Sequence, residues 1–302
     1  MIKNKKILAF LMVFILASLL VAGCGESPES GDKVAKDSQN KETIKLLYVE
    51  WACARATTHV IADVLENFMG YKVELTPVSA AAMYEGLAAG EADAMFCAWL
   101  PWTHKDYMEK VGDKIENLGP NFRGAKIGLV VPSYVEINSI EEMNSVKDKF
   151  NGQIIGIDPG AGIMKATEKA INEYGLDYEL VEGSGATMTA ALKQAIEKGD
   201  WVVVTGWSPH WKFARWDLKY LEDPKGCYGE EETINTIVRK GLKEDMPEVY
   251  EFFDKFYWEQ KDISSAMNMA EEMGDSKAAA RKWVEENMDL VNTWLPDKYQ
   301  QK

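Results

Sequence analysis

Apolar positions along the chain follow two spacings in turn, and this alternation predicts strands and helices. Residues 45–49 form a short apolar run and residues 72–75 alternate polar and apolar side chains, both typical of β-strands. Residues 57–68 instead repeat apolar side chains at the spacing of one helix face. A second helical segment, 80–89, ends at a glycine and precedes a buried strand over 92–98. Strand–helix–strand order with short turns predicts βαβ units and a largely parallel sheet.

The same order recurs about 105 residues later. The segment that starts at Gly70, GYKVELTPVSAAAMYEGLAAGEADAMFCAWLP, aligns with the segment that starts at Gly175, GLDYELVEGSGATMTAALKQAIEKGDWVVVTGWSP. Each segment ends in a W-x-P sequence, which begins at Trp99 in the first copy and at Trp207 in the second. Only two copies of so long a repeat predict paired lobes rather than a solenoid.

The two lobes are predicted to share the chain unequally. A strand pattern over 232–242 indicates that the chain returns to the first lobe, which the helical segments after it complete. Lobe 1 is therefore expected over 44–131 and 233–302, and lobe 2 over 132–232. Two α/β lobes joined by two crossings form a hinged cleft.

The start of the chain is interpreted as a targeting segment followed by a flexible tether. Residues 1–23 place lysines before an apolar run that is short for a membrane span, and the run ends in LVAGC, as in a lipoprotein signal peptide. Processing would leave a lipid-modified Cys24 at the start of the mature chain. Residues 24–43 are polar and lack aromatic side chains, so they are expected to form a flexible tether.

Charge and cysteine content exclude several classes of protein. A formal net charge of −14 argues against a nucleic-acid partner and against binding to anionic lipid. Apart from Cys24, the cysteines are Cys53, Cys97 and Cys227, an odd number without zinc-site spacing, so neither a complete disulfide framework nor a metal is expected. A Cys53–Cys97 bridge stays open. The acidic run 230–232 is expected to be a solvated face.

Tryptophans at two strand ends are the candidate binding residues. Trp99 and Trp207 end corresponding strands in the two lobes, where ligands of open α/β sheets bind. Facing indoles suit a quaternary ammonium, which has no N–H to donate and carries a diffuse charge. A ligand carboxylate would need free backbone N–H groups at a helix start. The turns at 53–56 and 160–162 both offer them, and Trp51 is open between a pocket role and a core role.

Five segments carry a resemblance to a known family. YVEWACARATTHV, AWLPWTHKDY, LGPNFRGAKIGLVVPSY, GWSPHW and KYLEDPKG resemble the glycine betaine-binding proteins of osmoprotectant ABC importers, above all the lipoprotein receptors of Gram-positive bacteria. The resemblance covers essentially the whole mature chain. It implies a type II-like periplasmic-binding-protein fold and a lipid anchor on the extracytoplasmic face of the cell membrane. The implied partners are a membrane permease and its ATPase, with the binding protein itself expected to be a monomer.

The resemblance also implies the site residues. The family holds the trimethylammonium head in a cage of three tryptophans, which maps onto Trp99, Trp207 and, in FYWEQKDI, Trp258. Backbone amides of the first strand–helix turn, here Cys53 and Ala54, would bind the carboxylate. Family members can add a histidine near the carboxylate from the C-terminal part of the first lobe, and this chain has no histidine there.

Glycine betaine or proline betaine is the expected ligand, and choline, carnitine or proline stays an alternative. Choline would not need the carboxylate amides, and proline would not need three indoles. A secreted carbohydrate-active enzyme would need a carboxylate pair about 5–10 Å apart, and nothing in the sequence pairs Glu50, Asp93 or Asp106. No catalytic residue, cofactor or metal is expected, and His104 and His210 are expected to satisfy the backbone of the W-x-P turns.

Overall fold

The computed structural model describes residues 42–301. The predicted signal peptide, Cys24 and the tether up to residue 41 lie outside the described residues. The strands are β1 (Thr43–Tyr48), β2 (Lys72–Pro77), β3 (Ala94–Leu100), β4 (Ile115–Pro132), β5 (Gln153–Ile155), β6 (Glu179–Val181), β7 (Val204–Ser208), β8 (Leu218–Tyr220) and β9 (Glu232–Arg239). The helices are α1 (Ala52–Asn67), α2 (Ala80–Ala88), α3 (Lys105–Val111), α4 (Gly162–Tyr174), α5 (Gly185–Lys198), α6 (Lys212–Arg215), α7 (Leu242–Asp245), α8 (Pro247–Lys255), α9 (Gln260–Met273), α10 (Ser276–Glu286) and α11 (Met288–Trp294).

The two halves of the predicted repeat have the same topology. The first half runs β1–α1–β2–α2–β3 and the second β5–α4–β6–α5–β7. In each half the first strand lies between the other two and pairs in parallel with both. Parallel strands with helical crossovers place all three carboxyl ends at one edge of the sheet. The repeat therefore brings β1 and β3 of one lobe, and β7 of the other, to equivalent edges.

A long strand, β4, joins the two lobes. Its residues 115–125 pair antiparallel with β9, and its residues 126–130 pair antiparallel with β7. The resulting order is β2-β1-β3-β9-β4-β7-β5-β6, with β8 pairing the end of β4. The partner of β4 changes between Ala125 and Lys126, whereas the lobe boundaries expected at 131/132 and 232/233 stay a prediction.

Buried side chains fill the lobes on both faces of the sheet. Every residue of β3 before Leu100 is buried, as expected for a central strand covered on both sides. The three cysteines after residue 41 are all free and buried, so the Cys53–Cys97 bridge left open by the sequence is not formed. Among residues 42–301 no helix combines the length and apolarity needed to cross a membrane.

One buried charge cluster fastens β9 to the first lobe. The Asp93 carboxylate, which precedes β3, accepts hydrogen bonds from the backbone N–H of Lys45 and from Nε of Arg239, both at 2.8 Å. Arg239 Nη1 also donates to Asp245 at 2.7 Å. The Asp93 side chain is 8% exposed and that of Arg239 18%. A single arginine thus connects β1, β3, β9 and α7.

Replacing Arg239 with methionine is expected to destabilise the fold, because it leaves the buried Asp93 carboxylate without its countercharge. Removing one partner of a buried ion pair costs roughly 3–5 kcal/mol, and the remaining exposure of Arg239 places the expected loss near 2–3 kcal/mol. Denaturant unfolding measures it. The control Lys282→Met breaks an exposed helix pair with Glu286 and should cost less than about 0.5 kcal/mol. Equal losses in the two variants would contradict this role for Arg239.

Candidate functional site

A small cavity lies where the carboxyl ends of β1, β3 and β7 meet. About 290 Å³ between its lining residues is free of atoms, a figure that includes space open to solvent, so the cavity suits only a small solute. Three indoles line it: Trp51 in the turn between β1 and α1, Trp99 near the end of β3 and Trp207 near the end of β7. The remaining lining residues are Thr103, His104, Ile127, Ile157, Ala161, Gly162 and Ile163.

The structure brings together two of the three tryptophans implied by the resemblance and puts Trp51 beside them. Trp258 does not line this cavity. Its ring lies 5.3 Å from that of Phe256, 5.8 Å from Trp283 and 6.5 Å from Trp294, in an aromatic cluster in the core of the first lobe. The signal for Trp51 was its position after the first strand, which matches the strand-end positions of Trp99 and Trp207.

His104 presents a hydrogen-bond donor to the cavity. Its Nδ1 accepts the backbone N–H of Trp99 at 3.1 Å and lies 3.1 Å from the Tyr84 hydroxyl, as expected for a histidine that satisfies the W-x-P turn. Burial, with a smaller effect of Lys165, lowers the pKa of His104 to about 3, so the ring is neutral. The proton must then sit on Nε2, which is buried and has no hydrogen-bond partner among the described residues.

The start of α4 supplies further donors. Gly162 and Ile163 line the cavity as the first two residues of this helix, and no side chain caps it. The first amides of a helix have no helical acceptor, so a helix start favours an anion. Of the two turns that the sequence left open, the one in the second lobe reaches the cavity. Cys53 and Ala54, the residues implied by the resemblance, are buried at the start of α1 and are not among its lining residues.

A buried carboxylate holds the loop that carries His104. Glu232, the first residue of β9, accepts the backbone N–H groups of Trp102 and Thr103 at 3.1 and 3.0 Å, and the Thr103 hydroxyl as well. Glu232 is 4% exposed, so the expectation of a solvated acidic run is wrong at this residue. Burial raises its pKa, and the hydrogen bonds from Thr103 act in the opposite direction.

Contacts across the cleft bring the lobes together around the cavity. Trp51 Nε1 donates to Asp158 at 2.9 Å, and the Tyr107 hydroxyl donates to the carbonyl of Gly160 at 2.7 Å. Two exposed ion pairs add to them, Lys165–Asp106 at 3.0 Å and Arg215–Glu271 at 3.5 Å.

Gly162 lies close against the Thr103 loop of the first lobe. A β-carbon on it would lie 2.1 Å from the carbonyl oxygen of Thr103, so no other residue fits while the lobes are closed. Since Thr103 precedes His104, this contact also brings the α4 amides next to the His104 donor.

The site as a whole is uncharged but electrically polarised. The residues that line it carry no formal charge, because His104 is neutral. The faces of three indoles are electron-rich and attract a cation, while Nε2–H of His104 and the helix amides attract an anion. Such an arrangement is suited to a small zwitterion, which it can bind without chemical change.

Solved structures of known proteins share the fold of this chain. A crystal structure of the glycine betaine, L-proline-binding protein ProX from Borrelia burgdorferi has a TM-score of 0.83 and 41% identity, covering 86% of this chain and 98% of that one. Lactococcal OpuAC, crystallised in its closed, liganded conformation with glycine betaine, has a TM-score of 0.81 and 42% identity, covering 85% and 100%. These neighbours confirm the predicted two-lobed α/β fold.

A sequence relative points to the same family. The chain is 47% identical over 150 residues to the glycine betaine/carnitine transport binding protein GbuC of Listeria monocytogenes, a match over 49% of this chain and 50% of that protein. The match thus spans about half the length of this relative. The family model for the substrate-binding domain of ABC-type glycine betaine transport systems matches residues 42–286. Its members serve transport and are not enzymes, which confirms that part of the prediction. The chain therefore belongs to the family of substrate-binding domains of ABC-type glycine betaine transport systems.

Proposed function

We propose that this protein is the extracytoplasmic binding component of an ABC importer and that it captures glycine betaine between its lobes. The observation that carries the proposal is the cavity itself, in which three indoles and a set of unpaired N–H donors enclose one small uncharged space. The partners would be the importer's permease and ATPase. Lipid anchoring through Cys24 stays a prediction of the sequence.

The indoles account for the cationic end of the ligand. A trimethylammonium group offers no hydrogen for a carboxylate to accept, so π faces are its best partners, each worth about 0.5–2 kcal/mol. Trp51 and Trp99 belong to the first lobe and Trp207 to the second. A ligand cation held by all three therefore favours the closed arrangement over the open one.

The N–H donors account for the carboxylate. In closed lobes the ligand oxygens would accept hydrogen bonds from Nε2 of His104 and from the amides of Gly162 and Ile163. Hydrogen bonds to a charged group contribute about 1.5–3 kcal/mol each. His104 would take the place of the histidine that family members can add from the C-terminal part of the first lobe.

Carnitine is a second candidate, because the relative from Listeria is named for glycine betaine and carnitine. It carries the same trimethylammonium and carboxylate groups on a longer chain. The small size of the cavity favours the shorter betaine. Choline lacks the carboxylate and would leave the His104 donor unpaired. Titration calorimetry with glycine betaine, proline betaine, carnitine, choline and proline ranks these ligands, and saturable betaine binding is the expected result.

Alanine at Trp51, Trp99 or Trp207 is expected to weaken glycine betaine binding by at least about tenfold, because each change removes one cation–π wall. Titration calorimetry of each variant measures the loss. Trp201→Ala is the control, since Trp201 packs on Phe150 and does not line the cavity. A loss in Trp258→Phe together with unchanged affinity in Trp51→Ala would overturn the choice of Trp51 as the third wall.

Phenylalanine at His104 is expected to distinguish the contribution of the ligand's carboxylate to affinity from that of its trimethylammonium group. It keeps a ring but removes the Nε2 donor, so glycine betaine affinity should fall roughly tenfold while choline affinity changes less than about threefold. His59→Phe, on the half-buried side of α1, should leave both affinities unchanged. Equal losses for betaine and choline in His104→Phe would show that the ring only supports the fold of the loop.

Alanine at Gly162 is expected to prevent closure, because its β-carbon would collide with the Thr103 carbonyl. Affinity for glycine betaine should fall at least about tenfold with little change in unfolding free energy, and small-angle scattering with saturating ligand should show open lobes. Gly160→Ala is a matched control in the same loop, since the nearest atom to a β-carbon there is 3.8 Å away. Wild-type affinity in Gly162→Ala would contradict the closed site.

A further inference from the structure

A lysine without a countercharge is buried behind one wall of the cavity. Lys212, the first residue of α6, is 0% exposed, and its Nζ has no hydrogen-bond partner among the described residues. The Nζ atom lies 4.4 Å from the centre of the Trp207 ring. Lys212 is not among the residues that line the cavity, whereas Trp207 is, so the amine contacts this wall without lining the cavity itself.

The surroundings of Lys212 show why it has no partner. The side chain runs along β7 beside Gly206, where an added β-carbon would lie 3.6 Å from Cε of Lys212 and 2.3 Å from Val130 of β4. The titratable groups near its amine are the Cys53 thiol, at the start of α1, and His210, on the preceding turn. No carboxylate among residues 42–301 forms a hydrogen bond or ion pair with it.

We propose that Lys212 is a positioning residue that opposes a cationic ligand through Trp207, so that binding requires its amine to be neutral and releases its proton. The inference rests on the proposed function, because it needs a ligand that carries positive charge. Two cations on one indole compete for the same π electrons and also repel each other in a medium of low dielectric constant. A neutral Lys212 does not draw on the π electrons of Trp207, which then remain available to the ligand.

The charge of Lys212 changes in a pH range in which the neighbouring groups do not, so its effect on binding can be measured separately from theirs. Burial lowers the pKa of Lys212 to about 7, so the amine changes charge within the physiological range. Burial raises the pKa of Cys53 to about 11 and lowers that of His104 to about 3, and it also holds the pKa of His210 well below its usual value. Cys53 therefore keeps its proton and His104 stays neutral where Lys212 changes charge, and burial likewise favours the neutral form of His210.

The sign of the pH dependence follows. Below pH 7 the free protein carries a protonated Lys212 that must lose its proton before the ligand binds, so affinity is reduced at low pH. Affinity then rises with pH and levels off once the amine is neutral in the free protein as well. One pH unit below the pKa, the apparent dissociation constant should be about tenfold higher than its plateau value.

The test is titration calorimetry of glycine betaine binding at pH 6, 7 and 8, repeated in buffers of different ionisation enthalpy to count released protons. Wild type should bind about tenfold more weakly at pH 6 than at pH 8 and release a substantial fraction of a proton at pH 7. Lys212→Met keeps the length of the side chain without the charge, so it should bind equally at all three values and release none. Lys198→Met, an exposed change on α5, should behave as wild type.

The outcomes distinguish the two proposals. Betaine binding with the same pH profile and proton release in wild type and Lys212→Met would overturn the role of Lys212 and leave the proposed function intact. No betaine binding by wild type at any pH would overturn the proposed function itself. If Lys212→Met fails to fold, Lys212→Arg keeps a charge that does not titrate in this range, and it should bind weakly at every pH, whereas wild-type affinity at pH 8 would contradict the proposal.

Discussion

Neither lobe encloses the cavity by itself. The wall is divided between Trp51, Trp99 and His104 from one lobe and Trp207 with the start of α4 from the other. This division follows from the duplicated βαβ topology, because each copy ends its strands at the same kind of edge and the two edges face each other. Recognition and closure are therefore a single event, and whatever controls the approach of the lobes also controls the shape of the site.

The approach of the lobes is fixed by backbone rather than by long side chains. Gly162 meets the carbonyl of Thr103 at a distance that excludes any β-carbon. The Thr103 backbone is itself held by the Glu232 carboxylate at the start of β9, the strand that returns the chain to the first lobe. A residue at one of the two crossings thus sets the position of the loop against which the second lobe closes. Because the buried Glu232 carboxylate connects the start of β9 to the Thr103 loop, the position of the loop is closely coupled to that of the crossing.

Much of this arrangement could be predicted from the sequence, and the reasons for the exceptions are physical. The repeat located Trp99 and Trp207 because both end equivalent strands, and periodicity located most helices and the returning strand. The resemblance placed Trp258 ahead of Trp51, whereas Trp51 lines the cavity and Trp258 does not. A tryptophan beside other aromatic residues is equally suited to a core, and only packing shows that Trp258 joins Trp283 and Trp294. Glu232 was expected in solvent because its neighbours are acidic. Its burial instead depends on a hydrogen bond from a backbone N–H group 130 residues away in the chain.

Each contact across the cleft is weak by itself, so a ligand that bridges the lobes can decide closure. The exposed pairs Lys165–Asp106 and Arg215–Glu271 contribute at most about 1 kcal/mol each. The two hydrogen bonds, from Trp51 and Tyr107, contribute about 0.5–1.5 kcal/mol each. Shifting an equilibrium from mostly open to mostly closed takes about 5.5 kcal/mol of differential binding. Contacts that a ligand in the first lobe gains only on closure are those with Trp207 and the α4 amides, and one cation–π contact with one or two charge-assisted hydrogen bonds reaches a few kcal/mol. The part of the site supplied by the second lobe is thus of the size needed to decide closure, and a change in the electron density available at Trp207 acts on the conformational equilibrium as well as on affinity.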